Sequence, residues 1–303
     1  QVNLRYLPGV WYKSRQLPFS ISLLWNLQTL KIAGFGGVFA PPEIWAMPQL
    51  RHLEFSTWIY LPDPSFRREE KVNVIVLKNL QTLKRVLNLK LTDEVCKRLP
   101  NVKKLKIMYF GLSKSSRYNH LYNIGRLHKL ESLRVYFCGD FSVFQILKYI
   151  VCSPLRPRGN LLKNLKFPTS LKKLTLSGSN LDWEELKGIG SLPNLEVLKL
   201  EYHSVRGSKW NPIEGQFLRL KYLRIAHSTL KYWNAESFHF PALENLVLQK
   251  LHKLAEIPSG IGEIPTLGLI HLYDCSKSAA ISAMGILEEQ QSQGNEDLRV
   301  RIQ

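Results

Sequence analysis

Cysteine is scarce in this chain of 303 residues, and so are the motifs cysteine usually serves. Cys96, Cys138, Cys152 and Cys275 lie far apart, and no Cys-x-x-Cys pair occurs. That spacing excludes a zinc ribbon and a thioredoxin-like redox site. So sparse a set argues against a disulfide framework and suits a reducing compartment. No Asn opens an Asn-x-Ser/Thr sequon, which speaks against a glycosylated ectodomain. No uninterrupted apolar run reaches the roughly 18 residues of a membrane span. The start, Gln1-Val2-Asn3-Leu4-Arg5-Tyr6-Leu7, lacks the basic, apolar and small-residue segments of a signal peptide. It reads as the middle of a repeat, so a fragment of a longer protein is expected. Also missing are a Gly-x-x-x-x-Gly-Lys-Ser/Thr phosphate loop, a Gly-x-Gly-x-x-Gly turn and a His-Glu-x-x-His pair. The His residues are dispersed, and His203 and His227 read as turn or surface residues. Glu184-Glu185 and Glu288-Glu289 read as solvated acids. No nucleophile, base and orienting group come together, so no catalytic, cofactor or metal site is expected, and the chain is not read as an enzyme.

What is present is a repeated phrase, Leu-x-x-Leu-x-Leu. It recurs as Leu27-Leu30-Ile32, Leu50-Leu53-Phe55, Val102-Leu105-Ile107, Leu130-Leu133-Val135, Leu171-Leu174-Leu176 and Leu195-Leu198-Leu200. Leu220-Leu223-Ile225, Leu243-Leu246-Leu248 and Leu267-Ile270-Leu272 complete it. Leu80-Leu83 begins a weaker copy with Arg85 in the third apolar slot, and Leu4-Leu7 a truncated one. Successive copies from Leu171 lie 24, 25, 23 and 24 residues apart. That is the period of leucine-rich repeats, roughly 20–29 residues. Each Leu-x-Leu is a short strand with its apolar side chains on one face. One repeat cannot bury that face alone, but stacked neighbours can. The expected fold is an α/β leucine-rich-repeat solenoid, a horseshoe with a parallel sheet on its concave side and an irregular or short-helical convex side. A single domain of residues 1–303 with about 11 to 12 repeats is expected.

Local signals fill in the connections. Leu17-Pro18-x-x-Ile21 and Leu254-x-x-Ile257-Pro258-x-x-Ile261 read as convex return segments. Thr92-Asp93-Glu94 opens a short helix before Pro100, and Ser142-x-x-Gln145 opens another through about Tyr149. Cys152 to Gly159 reads as a loop. A helix from Ser278 to about Gln291 and a last strand at Leu298-Val300-Ile302 would cap the stack over 278–303. The turn after each third apolar position holds Cys138, Ser179, His203, Ser228 or Cys275, read as structural residues that satisfy turn backbone.

The charge is large and uneven. Lys and Arg number 42 against 24 Asp and Glu, a formal +18 at pH 7. From Arg67 to Arg117 fourteen bases face four acids. Such a field attracts an acidic protein surface, an anionic lipid or nucleic acid. The residues between the second and third apolar positions form one row across the concave face: Lys31, Glu54, Lys84, Lys106, Arg134, Thr175, Lys199, Arg224, Val247 and His271. A neighbouring row reads Thr29, His52, Thr82, Lys104, Ser132, Lys173, Val197, Tyr222, Asn245 and Leu269. Trp58, Tyr136, Tyr222 and Tyr273 lie near the same surface. Arg, Tyr and Trp dominate interface hot spots, so these rows read as a binding face.

Five stretches carry a family resemblance, Leu24-Trp25-Asn26-Leu27-Gln28-Thr29-Leu30 among them. Phe167-Pro168-Thr169-Ser170-Leu171-Lys172-Lys173-Leu174 and Ile189-Gly190-Ser191-Leu192-Pro193-Asn194-Leu195-Glu196 are two more; Phe240-Pro241-Ala242-Leu243 and Glu256-Ile257-Pro258-Ser259-Gly260-Ile261 are the others. They resemble the C-terminal repeat domain of plant coiled-coil nucleotide-binding leucine-rich-repeat immune receptors, in the late-blight-resistance-protein-like group. The resemblance implies a cytoplasmic or nucleo-cytoplasmic domain that restrains a nucleotide-binding switch module and, in sensor members, meets a pathogen effector or host target. The coiled coil, the phosphate loop and the Met-His-Asp switch motif of that family are not in this sequence. ADP or ATP would belong to the switch module. On this reading Lys31, Arg67, Arg68, Lys84, Lys103, Lys104, Lys106 and Arg134 face the switch module. Lys199, Tyr222, Arg224, Trp233, His271 and Tyr273 face the effector. Neither nucleic acid nor a membrane span is expected. The alternatives are a ubiquitin-ligase substrate-recognition subunit and a basic nucleic-acid-binding solenoid.

Overall fold

The computed structural model describes residues 3–11, 15–34, 37–64, 75–110, 121–138 and 165–303. They fall into two compact units, divided between Ser170 and Leu171.

The first unit is built on a parallel sheet. Its strands are β1 (Tyr6–Trp11), β2 (Thr29–Gly34), β3 (Val38–Phe39), β4 (His52–Tyr60), β5 (Thr82–Leu87), β6 (Lys104–Phe110) and β7 (Ser132–Cys138). Their order is β1-β2-β4-β5-β6-β7, with β3 paired to β4. The second apolar residue of each repeat stands beside its equivalent: Leu30, Leu53, Leu83, Leu105 and Leu133 are in register and buried. Burial of this one face fixes the register, because a slip of one residue would turn every leucine to solvent.

Strand entry is equally regular. The carbonyl of Gln28 accepts from the amides of Arg51 and His52, that of Arg51 from Gln81 and Thr82, and that of Gln81 from Lys103 and Lys104. Each repeat thus answers two backbone donors of the next with one oxygen. The weaker copy departs from this regularity. Arg85 adopts φ 65° and the register shifts there, so Val86 rather than Arg85 fills the third apolar slot opposite Ile107. A guanidinium facing the core would have no partner, and the bulge turns it outward to the Ser56 carbonyl.

Among the described residues the return segments of this unit include short 3-10 helices at Phe19–Leu23, Pro42–Ala46 and Leu121–Arg126 and the α-helix α1 (Asp93–Arg98). Thr92 caps α1 through its hydroxyl, as its sequence implies. The expected helix from Ser142 and the loop from Cys152 to Gly159 lie outside the described residues.

The second unit repeats the plan. Strands β8 (Lys173–Ser177), β10 (Val197–Glu201), β13 (Tyr222–Ala226), β15 (Asn245–Gln249), β16 (Leu269–Tyr273) and β17 (Arg299–Ile302) pair in that order, all parallel. Leu174, Leu198, Leu223, Leu246, Ile270 and Val300 are in register. Two-residue ladders lie after them: β9 (Leu181–Asp182) with β11 (Val205–Arg206), and β12 (Lys209–Trp210) with β14 (Tyr232–Trp233). A short helix, α2 (Leu186–Gly190), lies between β9 and β10. Leu254, Ile257 and Ile261 are buried, as the return-segment reading requires. Helix α3 (Lys277–Ser292) is capped by Ser276, and β17 after it adds to the sheet. Among the described residues no helix is long and apolar enough to cross a membrane.

Candidate partner-binding faces

Each sheet has a core side and an open side, and the alternation of the strands puts the two sequence rows on the open side. In the first unit Lys31, Glu54, Lys84, Lys106 and Arg134 stand side by side in register. Lys104 lies in the adjacent row, and Lys103 is exposed immediately before β6. Arg67 and Arg68 lie outside the described residues.

The cations of this row are not equivalent. Lys84 donates to Glu54 at 2.9 Å. Burial alone would raise the Glu54 carboxyl, but the Lys84 bond and the charges of Lys84 and Lys31 hold it below the usual range. His52 is lowered, first by burial and then, against the pull of Glu54, by Lys84, Arg51 and Lys31. Lys31 lies 5.8 Å over the Tyr6 ring. Lys106 sits between two rings, 5.8 Å from Trp58 and 5.0 Å from Tyr136, which themselves meet edge to face at 6.0 Å. Trp58 and Tyr136 are therefore not exposed contact residues. They are buried with Leu87, Met108 and Cys138. Lys104 and Arg134 are exposed and, among the described residues, have no ion-pair partner.

In the second unit the row is Thr175, Lys199, Arg224, Val247, His271 and Arg301. Lys199 lies 4.9 Å over the Tyr222 ring. Burial raises Tyr222, and the charge of Arg224 opposes that rise. Arg224 also donates to the Gln249 side chain and lies 3.7 Å from Glu201. Glu201 and Gln249 occupy a third open-side row that the repeat phrase does not include, which is why the sequence reading passed over them. Strand alternation two residues beyond Lys199 and Val247 is the signal that finds them. The Arg224 Nε and His271 Nε2 atoms are buried without a hydrogen-bond partner. Tyr273 is exposed, one strand from Gln249.

Trp233 corrects the sequence reading. It is 2% exposed and stacks at 5.4 Å on Trp210, which stacks at 4.8 Å on Trp183, with Phe240 against the pile. It belongs to the second ladder, where indoles in register cover one another, and it presents nothing to a partner.

The turn residues differ among themselves. Ser179 donates to the Ser204 carbonyl at 2.8 Å, and Cys275 to that of Leu248 at 3.3 Å, as expected of residues that satisfy turn backbone. Cys138 is instead disulfide-bonded, which the sparse cysteines did not lead one to expect. Burial pushes the Cys96 thiol up to about 11 and also raises Cys275, so neither is an activated nucleophile.

A profile of the leucine-rich repeat region family matches residues 1–290. The chain belongs to this family. Relatives from Solanum demissum include late blight resistance protein homolog R1B-16, 32% identical, and late blight resistance protein R1-A, 31% identical, each matched over 95% of this chain. The chain spans only 21% of the length of either relative. A further late blight resistance protein homolog from the same plant is 31% identical over 99% of the chain and 36% of its own length. Among solved structures, the PEPR1–AtPEP1 complex aligns with TM-score 0.46 at 16% identity, covering 86% of this chain and 33% of that one. The leucine-rich repeat domain of the type III effector XopL aligns with TM-score 0.39 at 15% identity, over 98% of this chain and 76% of its own.

Proposed function

We propose that this repeat region is the sensing and restraining domain of a plant disease-resistance receptor. Its two open sheet faces would divide the work. The first unit would hold an acidic surface of the receptor's own nucleotide-binding module, and the second would meet an effector or a host target. The observation that carries this reading is the in-register basic row on a solenoid similar in sequence to late blight resistance proteins. A repeat sheet presents its side chains as a fixed array, and an array of one sign steers and orients a partner of the other.

The environments of the row assign parts within it. Lys84 is engaged by Glu54 and Lys106 by two rings, whereas Lys104 and Arg134 are exposed without an ion-pair partner among the described residues and are the cations to test. The test is capture of the nucleotide-binding module encoded with this chain, at low and high salt. Capture that weakens with salt, and that Lys104→Glu with Arg134→Glu lowers by about tenfold or more, is expected. In the intact receptor the same pair of changes should cause cell death without an effector. No capture at either salt by folded proteins, or a silent receptor at normal protein level, overturns the restraining role.

A further inference from the structure

The second unit's open face has a polar centre. Arg224 is its hub. Its guanidinium bonds Gln249 on one flanking strand, lies 3.7 Å from the Glu201 carboxylate on the other, and its charge acts on Tyr222 two residues before it. Ala226, two residues beyond Arg224 and paired in register with Gln249, contributes only a small side chain here. Lys199 stands beside Arg224 in register, its ammonium over the Tyr222 ring.

The Glu201 contact is loose for an arginine. A charge-assisted bond closes to about 2.7–2.9 Å, and this one stays at 3.7 Å while Nε finds no acceptor. Arginine's fork fits a planar carboxylate through two parallel bonds, and Glu201 does not supply them. The surroundings bear on which anion fits. Val197, Val247 and Leu269 are half-buried open-side neighbours, and Tyr273 is exposed. Such a mixed apolar and basic surface suits a protein segment better than a polyphosphate backbone. The fixed negative charge of Glu201 also disfavours a doubly charged phosphate more than a single carboxylate.

We propose that this centre is a carboxylate-reading site: Arg224, assisted by Lys199, receives an Asp or Glu side chain of an acidic, partly apolar partner segment, and Glu201 is the counter-ion that the incoming carboxylate displaces. This deepens, and rests on, the reading of the second unit as the face that meets a partner.

The test titrates the full chain with a short labelled peptide of Glu interspersed with Leu, with its Gln analogue, and with the same peptide bearing phosphoserine for Glu. Arg224→Gln is expected to weaken the Glu peptide about tenfold or more, and Glu201→Gln to tighten it several-fold. Both variants change net charge, so Lys221→Gln and Glu244→Gln serve as charge-matched controls. That pair bridges at 2.7 Å without contacting Arg224, and its variants should leave affinity within about twofold. Arg224→Lys, which keeps the charge and loses the fork, should fall between wild type and Arg224→Gln. Equal effects of the control and site variants would reduce the site to general basicity and overturn it. Tighter binding of the phosphoserine peptide, with the same dependence on Arg224, would overturn the carboxylate assignment. The restraining role of the first unit is read separately, because Lys104→Glu should leave these affinities unchanged within about twofold.

Discussion

At the scale of single residues the repeats share a backbone habit that their side chains do not advertise. The second residue after the third apolar position turns left-handed in every full repeat of the second unit: Gly178, Tyr202, His227, Lys250 and Asp274 have φ of 70°, 47°, 54°, 52° and 51°. Only Gly178 adopts that conformation without cost. Lys250→Gly is therefore expected to raise stability by up to about 1 kcal/mol, and Gly178→Ala to lower it by a similar amount, read as shifts of the urea midpoint. His227 combines this conformation with a stack on Tyr202 at 4.5 Å. Burial, then Lys250, His203, Arg224 and His252, lower its pKa below 6.5. The unfolded chain thus takes up that proton before the folded one does. Stability is complete above about pH 6.5 and declines as pH falls toward the depressed folded value. His227→Asn keeps a side chain that tolerates positive φ and removes the titration. The fall in urea midpoint between neutral and mildly acidic pH should shrink in that variant, leaving a remainder from His52, which is lowered for the same leading reason. An unchanged pH profile would exclude His227 as a source of acid sensitivity.

At the scale of elements, the helix start at Thr92 was legible in the sequence, and the cap at Ser276 came from the structure. Thr92 and Ser276 cap α1 and α3 because a hydroxyl in that position answers an orphan amide, a rule that needs no tertiary context. The sequence places the second helix from Ser278 to about Gln291, and the structure begins it one residue earlier behind its cap. Ser276 also donates to the Leu254 carbonyl, tying the helix start to the preceding return segment. Ser276→Ala should cost about 1 kcal/mol and reduce helical circular dichroism; no change in either would mean that the contacts of α3 hold its first turn without the cap. The bulge at Arg85 was visible only as a broken phrase. The Trp183, Trp210 and Trp233 pile was not visible at all, because its members come from separate return segments that only the superposition of repeats brings into register.

At the scale of the whole molecule, a net charge of +18 describes attraction in general, and the sheet decides where it is offered. Reversal at Lys104 and Arg134 should leave the urea midpoint nearly unchanged, within about 0.5 kcal/mol, while capture of an acidic partner falls. A large loss of stability would mean that these exposed cations serve the fold rather than a partner. The repeat, its period, the two rows flanking the second apolar position and the helix start at Thr92 follow from the order of residues alone, because a side-chain period of two and hydroxyl capping are local rules. Which members of a row are already engaged does not follow from it. Lys84 meets Glu54 from 30 positions away, Lys106 lies between rings of two other repeats, and Arg224 reaches Glu201 and Gln249 on opposite flanking strands. Those pairings depend on distances between strands, which stacking sets and the order of residues along one strand does not contain.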